Sequence, residues 1–291
     1  MRNFNISLYG NIIVDSVYEV NSFDKNSSNV IEEKYKSLGA IANVARELAN
    51  LNKNFNISVN SSIGNDSDGR FCLTWIKNFN KLYGSNITSF IETTQEKTSN
   101  ALIVSSLDNN IRTSAVNWGA CQNSSEFTDH NSDWKHFMYV DKMLNLTKNN
   151  LKKLANRSII SVDFCLGKHT KSERDRLLSI LENVDYVFIS EEEAKSLTGL
   201  EEESKMSLFL GSKARGICIL HTPKASYTSD GKSTNVFKTD HIKNKKLNVL
   251  GAGDVFCASF ISKSINEQES KLEDRIRFAH ENTKKYLLKG K

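Results

Sequence analysis

Asn248-Val249-Leu250-Gly251-Ala252-Gly253-Asp254-Val255-Phe256 is the stretch on which the reading of this chain turns. Two glycines around an alanine let backbone N–H groups come close to an anion. The helical pattern that follows aims the positive end of its dipole at the same point. Asp254 then stands in the first helical turn as a carboxylate beside an anion site. There it can take the proton of a hydroxyl as that oxygen attacks a phosphoryl group, while the N–H groups hold the charge of the transition state. A plain glycine-rich turn with an aspartate at a helix start has the same letters, so the pattern on either side decides between the two.

Upstream, apolar runs with strand character fall at Ile6 to Tyr9, Ile57 to Ile63, Phe137 to Val140, Ile159 to Phe164, Tyr186 to Ile189 and Ile217 to Leu220. Helical patterns lie between most of them. Ile41, Val44, Ala45, Leu48 and Leu51 share one face, and Phe71 to Phe79, Lys152 to Ala155, Arg174 to Leu181 and Glu192 to Leu197 behave alike. Val255 to Ile261 and Leu272 to Leu288 close the chain as two packed helices. Strands alternating with helices of this length predict a mostly parallel sheet covered on both faces. Two stretches break the alternation, Ser16 to Lys36 and Lys97 to Trp118. They read as hairpins or short strands outside the main sheet, with a turn at Asp108-Asn109-Asn110.

With 291 residues, 38% hydrophobic and 25% charged, the chain can bury a large core and is too apolar to be disordered. It has no apolar run of the roughly 18 residues that a spanning helix needs, and its start lacks the marks of a signal peptide, so a cytoplasmic location is expected. Cys72, Cys121, Cys165, Cys218 and Cys257 are scattered, with no Cys-x-x-Cys pair and no His at metal spacing; this disfavours a zinc site or a disulfide framework and predicts reduced, mostly buried thiols. The net charge of +5 is spread along the chain without the basic stripe that nucleic acid requires. No nucleic-acid or membrane partner is expected.

Leu250 to Phe256 resembles the Gly-Ala-Gly-Asp signature of the PfkB or ribokinase family of small-molecule kinases. Four further regions match that family in order. Tyr9 to Asp15 is similar to its first strand, Leu38-Gly39-Ala40-Ile41-Ala42-Asn43-Val44-Ala45 to its Gly-Gly-x-x-x-Asn-Val-Ala signature, Gly64 to Gly69 to its Gly-x-Asp-x-x-Gly turn, and Ser190 to Glu193 to its Asn-x-x-Glu signature. The resemblance spans nearly the whole chain. It implies one three-layer α/β/α domain over 1–291, with a mostly parallel central sheet and a small β-sheet lid inserted as segments 16–37 and 97–118.

Carried over position by position, the resemblance makes Asp254 the general base and Gly251, Ala252 and Gly253 the anion hole. Asp15, Gly39 and Asn43 become contacts to the acceptor. Glu193 becomes the residue that organises Mg2+ beside the phosphates of ATP, and Ser190 and Thr222 lie toward the nucleotide. Arg112 is similar to a position where acid-sugar kinases present an arginine, and reads equally well as a solvated strand residue. Asp163, at the end of a buried strand, reads as structural. The implied activity is ATP-dependent transfer of a phosphoryl group to a hydroxyl of a sugar or sugar-like metabolite, in a possible homodimer paired through the lid.

Departures from the family pattern motivate a second reading, a degenerate member that binds a sugar or nucleotide without turnover. Leu38 replaces the first glycine of the Gly-Gly pair, which predicts a side chain where backbone approaches the acceptor. Ser190 replaces Asn, and Thr222 and Ala225 replace the two glycines of the Gly-x-x-Gly phosphate turn. Asn248 and Val249 stand where relatives carry Asp-Thr, and the chain stops at Gly290-Lys291, so little activation by monovalent cations is expected.

Overall fold

The computed structural model describes residues 3–20, 31–83, 86–106, 112–123, 130–143, 145–165, 167, 169–240, 242, 247 and 249–289. β1 (Phe4–Tyr9) leads into β2 (Ile12–Val20), then β3 (Glu32–Ala40) and helix α1 (Ile41–Leu51). β4 (Phe55–Gly64) and α2 (Ser67–Tyr83) precede β5 (Asn86–Thr94), β6 (Asn100–Ser106) and β7 (Arg112–Asn117). β8 (Trp134–Phe137), α3 (Lys148–Ala155), β9 (Ile159–Asp163), α4 (Lys171–Ile180), β10 (Tyr186–Ser190) and α5 (Glu191–Thr198) alternate. α6 (Glu203–Lys213), β11 (Ile217–His221), β12 (Ala225–Ser229), β13 (Thr234–Lys238), α7 (Ala252–Asn266) and α8 (Leu272–Leu288) complete the order.

Nine strands form the main sheet in the order β13-β12-β11-β10-β9-β8-β1-β4-β5, and only the β11–β12 and β12–β13 pairs are antiparallel. Its central strands are apolar on both faces because helices cover both. Along β10, Phe188 faces one core cluster while Val187 and Ile189 face the other; along β11, Ile219 and the pair Cys218 and Leu220 divide the same way. α1, α2, α7 and α8 pack on the first face, and α3 to α6 on the second. α7 is buried nearly all round, as its apolar sequence from Val255 to Ile265 requires. Full burial of Phe256, Phe260 and Ile261 contributes about 1.5–3 kcal/mol each.

The two irregular stretches do lie outside the main sheet, in a four-stranded sheet of order β3-β2-β6-β7. β2–β3 and β6–β7 are antiparallel pairs, and a parallel β2–β6 pairing joins them. The Asp108-Asn109-Asn110 turn and positions 21–30 lie outside the described residues. Among the described residues, no helix is long and apolar enough to cross a membrane.

One expected strand is displaced. β8 ends at Phe137, and the chain turns away at Tyr139, whose φ of 58° is left-handed, into a short 3-10 turn at Val140–Lys142. The strand lies earlier and includes the polar Lys135 and His136, both fully buried. The Lys135 ammonium donates to His130 O, Ser132 Oγ and Ser158 Oγ, which offsets the loss of water. β5, α6, β12 and β13 were not anticipated from the sequence.

Candidate active site

Gly251 caps the start of α7, and its φ of 81° and ψ of 11° suit glycine. A Cβ there would also stand 2.9 Å from Asn43 Nδ2 and 3.3 Å from the Tyr286 hydroxyl. Tyr286, on α8, donates to Leu250 O and so pins the turn from outside. Val255 N bonds Gly251 O as the first helical link, and Ala252 N bonds Val249 O at 3.3 Å, so Ala252 is partly turned back into the loop. The first-turn amides that follow have no helical carbonyl ahead of them. They form the positive end of a 15-residue helix.

Asp254 sits in that first turn and is buried. Its Oδ2 accepts from Asn43 Nδ2 at 2.7 Å, and Asn43 Oδ1 accepts from Arg46 Nη2 at 2.6 Å. Asn43 and Arg46 lie one turn apart on α1, so that helix presents both toward α7. Burial pushes the Asp254 carboxyl up to about 6, against the Asn43 hydrogen bond and the Arg46 charge. Such a group is ionised near neutral pH yet basic enough to accept a proton. The structure therefore brings Asn43, from α1, against the turn that carries Gly251 and Asp254.

Asp15 and Gly39 meet at the base of the small sheet. They occupy adjacent antiparallel strands, and a Cβ on Gly39 would lie 2.5 Å from Asp15 Oδ2, so the glycine makes room for the carboxylate. Leu38, expected to obstruct this approach, instead turns into the core and is buried, because strand alternation sends it to the opposite face from Gly39. Arg112 opens β7 opposite Ser105, and its side chain lies outside the described residues.

Ser190 caps α5 in a reciprocal box: Ser190 N donates to Glu193 Oε2 at 2.8 Å, and Glu193 N donates to Ser190 Oγ at 3.4 Å. Burial raises the Glu193 carboxyl to about 7 despite these bonds, with Asp141 and Glu192 adding to the rise. Asp163 ends β9 and accepts from Phe164 N through Oδ1; burial, then the charges of Glu193 and Asp254, push its carboxyl well up. It thus borders the same site. Thr222 spends its hydroxyl on its own turn, accepting from Lys224 N and Ala225 N and donating to Ala225 O.

The Gly64 to Gly69 turn works as a clasp between the two sheets. Asp66 Oδ1 accepts from Gly69 N and Thr98 Oγ1, Oδ2 accepts from Thr98 N, and Thr98 Oγ1 accepts from Gly64 N. Burial would raise the Asp66 carboxyl, but the Thr98 and Gly69 bonds outweigh it and hold it down.

Arg46, Tyr286 and His221 join the site without having been singled out as site residues from the sequence. Arg46 follows Asn43 by one helical turn, a spacing that could have flagged it. Tyr286 had no local signal. The His221 ring lies 3.7 Å from where a Gly253 Cβ would be, and burial, then the neighbouring His280, lowers it to about 4, so it is neutral.

The sequence matches the family described as pfkB family carbohydrate kinase across residues 3–282. Comparison with curated proteins gives no significant match. Among solved structures, a PfkB protein from Polaromonas sp. JS666 superposes with a TM-score of 0.74 at 16% identity, covering 98% of this chain and 96% of its own. A Methanocaldococcus jannaschii nucleoside kinase gives 0.70 at 20% identity, with 96% and 90% covered. Ribokinase from Thermotoga maritima gives 0.71 at 19% identity, with 98% and 92% covered. The three-layer α/β/α fold is shared by all of them.

Proposed function

Because the chain belongs to the pfkB family of carbohydrate kinases, phosphotransferases with a hydroxyl acceptor, we propose that it transfers the γ-phosphoryl group of ATP to a hydroxyl of a sugar or sugar-like metabolite, with Asp254 as the general base. The observation that carries this reading is the Asn43–Asp254 hydrogen bond, which orients a buried carboxylate at the N-terminus of α7. Asp254 accepts the hydroxyl proton as the oxygen attacks. The amides of Gly251 and Gly253, joined by that of Ala252 once it gives up its long bond to Val249 O, with the dipole of α7, hold the negative charge that develops on the phosphoryl oxygens.

Asp15, Gly39 and Arg112 serve the acceptor. The Asn43 amide has one hydrogen committed to Asp254 and a second for the acceptor. Ser190 and Thr222 serve the nucleotide by fixing the shape of their turns. Glu193 lies in the first turn of α5, directly after β10, and its carboxylate is the kind of hard oxygen donor that fits Mg2+. Glu193 would hold that ion, which would supply charge neutralisation for the phosphates of bound ATP. The small sheet closes over the site as a lid and excludes water. Its exposed Leu102 and Val116 favour pairing with a second copy.

Binding without turnover is favoured by one observation: the Thr222 hydroxyl is already committed to its own turn. ADP release with Mg-ATP against hexoses, pentoses, sugar acids and nucleosides separates the two. Turnover with one acceptor, lost by about a hundredfold or more in Asp254→Asn, supports the kinase. Saturable binding of a sugar or nucleotide with no turnover supports the alternative.

A further inference from the structure

Sequence spacing argues against a metal site in this chain, but spacing cannot register ligands delivered by three separate elements. His136 of β8, Asp163 of β9 and Cys257 of α7 converge beneath the active site, each offering a ligand atom within 4.8 Å of the others. His136 Nε2 lies 3.6 Å from Cys257 Sγ. Tetrahedral zinc bonded to one sulfur at about 2.3 Å and one imidazole nitrogen at about 2.0–2.1 Å sets those two atoms about 3.5 Å apart.

We propose that His136, Asp163 and Cys257 form a binding site for a borderline-soft divalent cation of the zinc and cadmium class. Imidazole, carboxylate and thiolate together suit that class better than Mg2+, which prefers oxygen alone. The imidazole is already oriented. Ser161 Oγ accepts from Trp134 Nε1 at 2.7 Å and lies 2.9 Å from His136 Nδ1. In the tautomer protonated at Nδ1, the serine accepts both ring N–H groups and Nε2 is left as the ring's acceptor; Cys257 Sγ lies beside the ring, 3.6 Å from Nε2 and 3.9 Å from Nδ1, so the thiol side chain turns toward Nε2 to ligate. Partners of this kind at the far nitrogen are what metal-bound histidines use.

Asp163 supplies the way in. His136 is fully buried and Cys257 is 1% exposed, whereas Asp163 is 7% exposed and borders the active site. The cation enters past Asp163, and its fourth position holds water on that side. Binding exchanges the thiol proton of Cys257, and any proton on Asp163, for metal–ligand bonds; the protons pass to solvent and no electrons move. Burial holds the Cys257 thiol well above its ordinary range, so without a cation it is neutral and unreactive.

A consequence follows that rests on the kinase reading. Cys257 is three residues beyond Asp254 on α7, so a cation held there places positive charge beside the base and inhibits turnover. Binding itself does not depend on that reading.

The test is a Co2+ titration of the full chain. The expected result is a thiolate-to-cobalt charge-transfer band with intense tetrahedral visible bands at one equivalent, abolished in Cys257→Ser and unchanged in Cys165→Ser. Absence of the band, or its survival in Cys257→Ser, overturns the site. X-ray absorption on the zinc-loaded native chain is independent of how any variant folds: one sulfur among nitrogen and oxygen neighbours supports the proposal, and a shell with no sulfur or two sulfurs overturns it. Zinc is then added to a turnover assay, where inhibition reversed by a chelator and resisted by Cys257→Ser supports the consequence. A cobalt spectrum together with no turnover on any acceptor supports the site and counts against the kinase reading alone.

Discussion

Asn43 and Asp254, 211 positions apart, meet through a 2.7 Å hydrogen bond that ties α1 to the first turn of α7. The bond stabilises the ionised form of Asp254, and burial opposes it. With the carboxyl at about 6, turnover should fall on the acid side of that value, because a protonated carboxyl cannot act as base. Asn43→Ala removes the opposing bond. Its acid limb in a profile of kcat/KM against pH should move upward by about one unit, which corresponds to about 1.4 kcal/mol. An unmoved limb would show that the bond does not tune the base.

The same burial carries a stability consequence. The folded-state value of Asp254 lies above the unfolded one, so the folded chain holds that proton more tightly. The contribution to stability is fully present below about 4 and is lost as pH rises through about 6. Asp254→Asn should therefore gain about 1–3 kcal/mol over the native chain at pH 7.5 and little at pH 4, measured by urea unfolding. An equal difference at both pH values would sink the argument.

Glu193 has two separable tasks. Glu193→Gln keeps an acceptor for Ser190 N and so keeps the capping box, but it removes the charge. Thermal unfolding should be preserved near neutral pH while KM for Mg-ATP rises about tenfold or more, a loss of about 1.4 kcal/mol. Glu193→Ala should lose the box as well, at a cost of about 1 kcal/mol. Equal KM values for Gln and native chains would remove Glu193 from the nucleotide site.

Gly251→Ala forces a side chain into a left-handed residue and against Asn43 Nδ2. The strained backbone costs about 1–3 kcal/mol. Turnover should drop by a hundredfold or more, about 2.7 kcal/mol, because the Asn43–Asp254 bond and the anion hole move together. Stability loss with normal kcat would show that the turn is only structural.

Ala40 precedes α1 with φ 56° and ψ −130°, a conformation that glycine accepts readily. Ala40→Gly relieves strain of about 1–3 kcal/mol, less the roughly 0.4–1 kcal/mol that glycine adds to unfolded-chain freedom. A net gain of about 1 kcal/mol is expected in urea unfolding. A loss would mean that the Ala40 methyl, which is buried, packs better than its backbone is strained.

Long periodic segments were legible in the sequence: the α1 face, the buried parallel strands other than β8 and the two closing helices lie where their apolar spacing puts them. The strands that escaped had other reasons to be where they are. β5 and β13 are edge strands with few buried residues, and β8 contains Lys135 and His136, whose burial depends on partners remote in sequence. α6 buries Met206, Ser207, Leu210 and Gly211, a mixed face that does not announce a helix. Gly251 and Asp254 stand out in the sequence because one local turn carries both, and the structure joins that turn to Asn43. Arg46 could have been flagged by its one-turn spacing from Asn43 on α1, whereas Tyr286 could not, since it acts by reaching a loop carbonyl 36 positions away. Leu38 misled because sequence gives a residue type without the face it takes.

Asn43, Asp254 and Tyr286 hang on helices of one layer, rooted in one core cluster, whereas Glu193 hangs on α5 and is rooted in the other. The central sheet is the partition between them. Divergence can therefore proceed in two compartments: exchange of residues beneath α5 and α6 shifts Glu193 while leaving the Asn43–Asp254 pair in register.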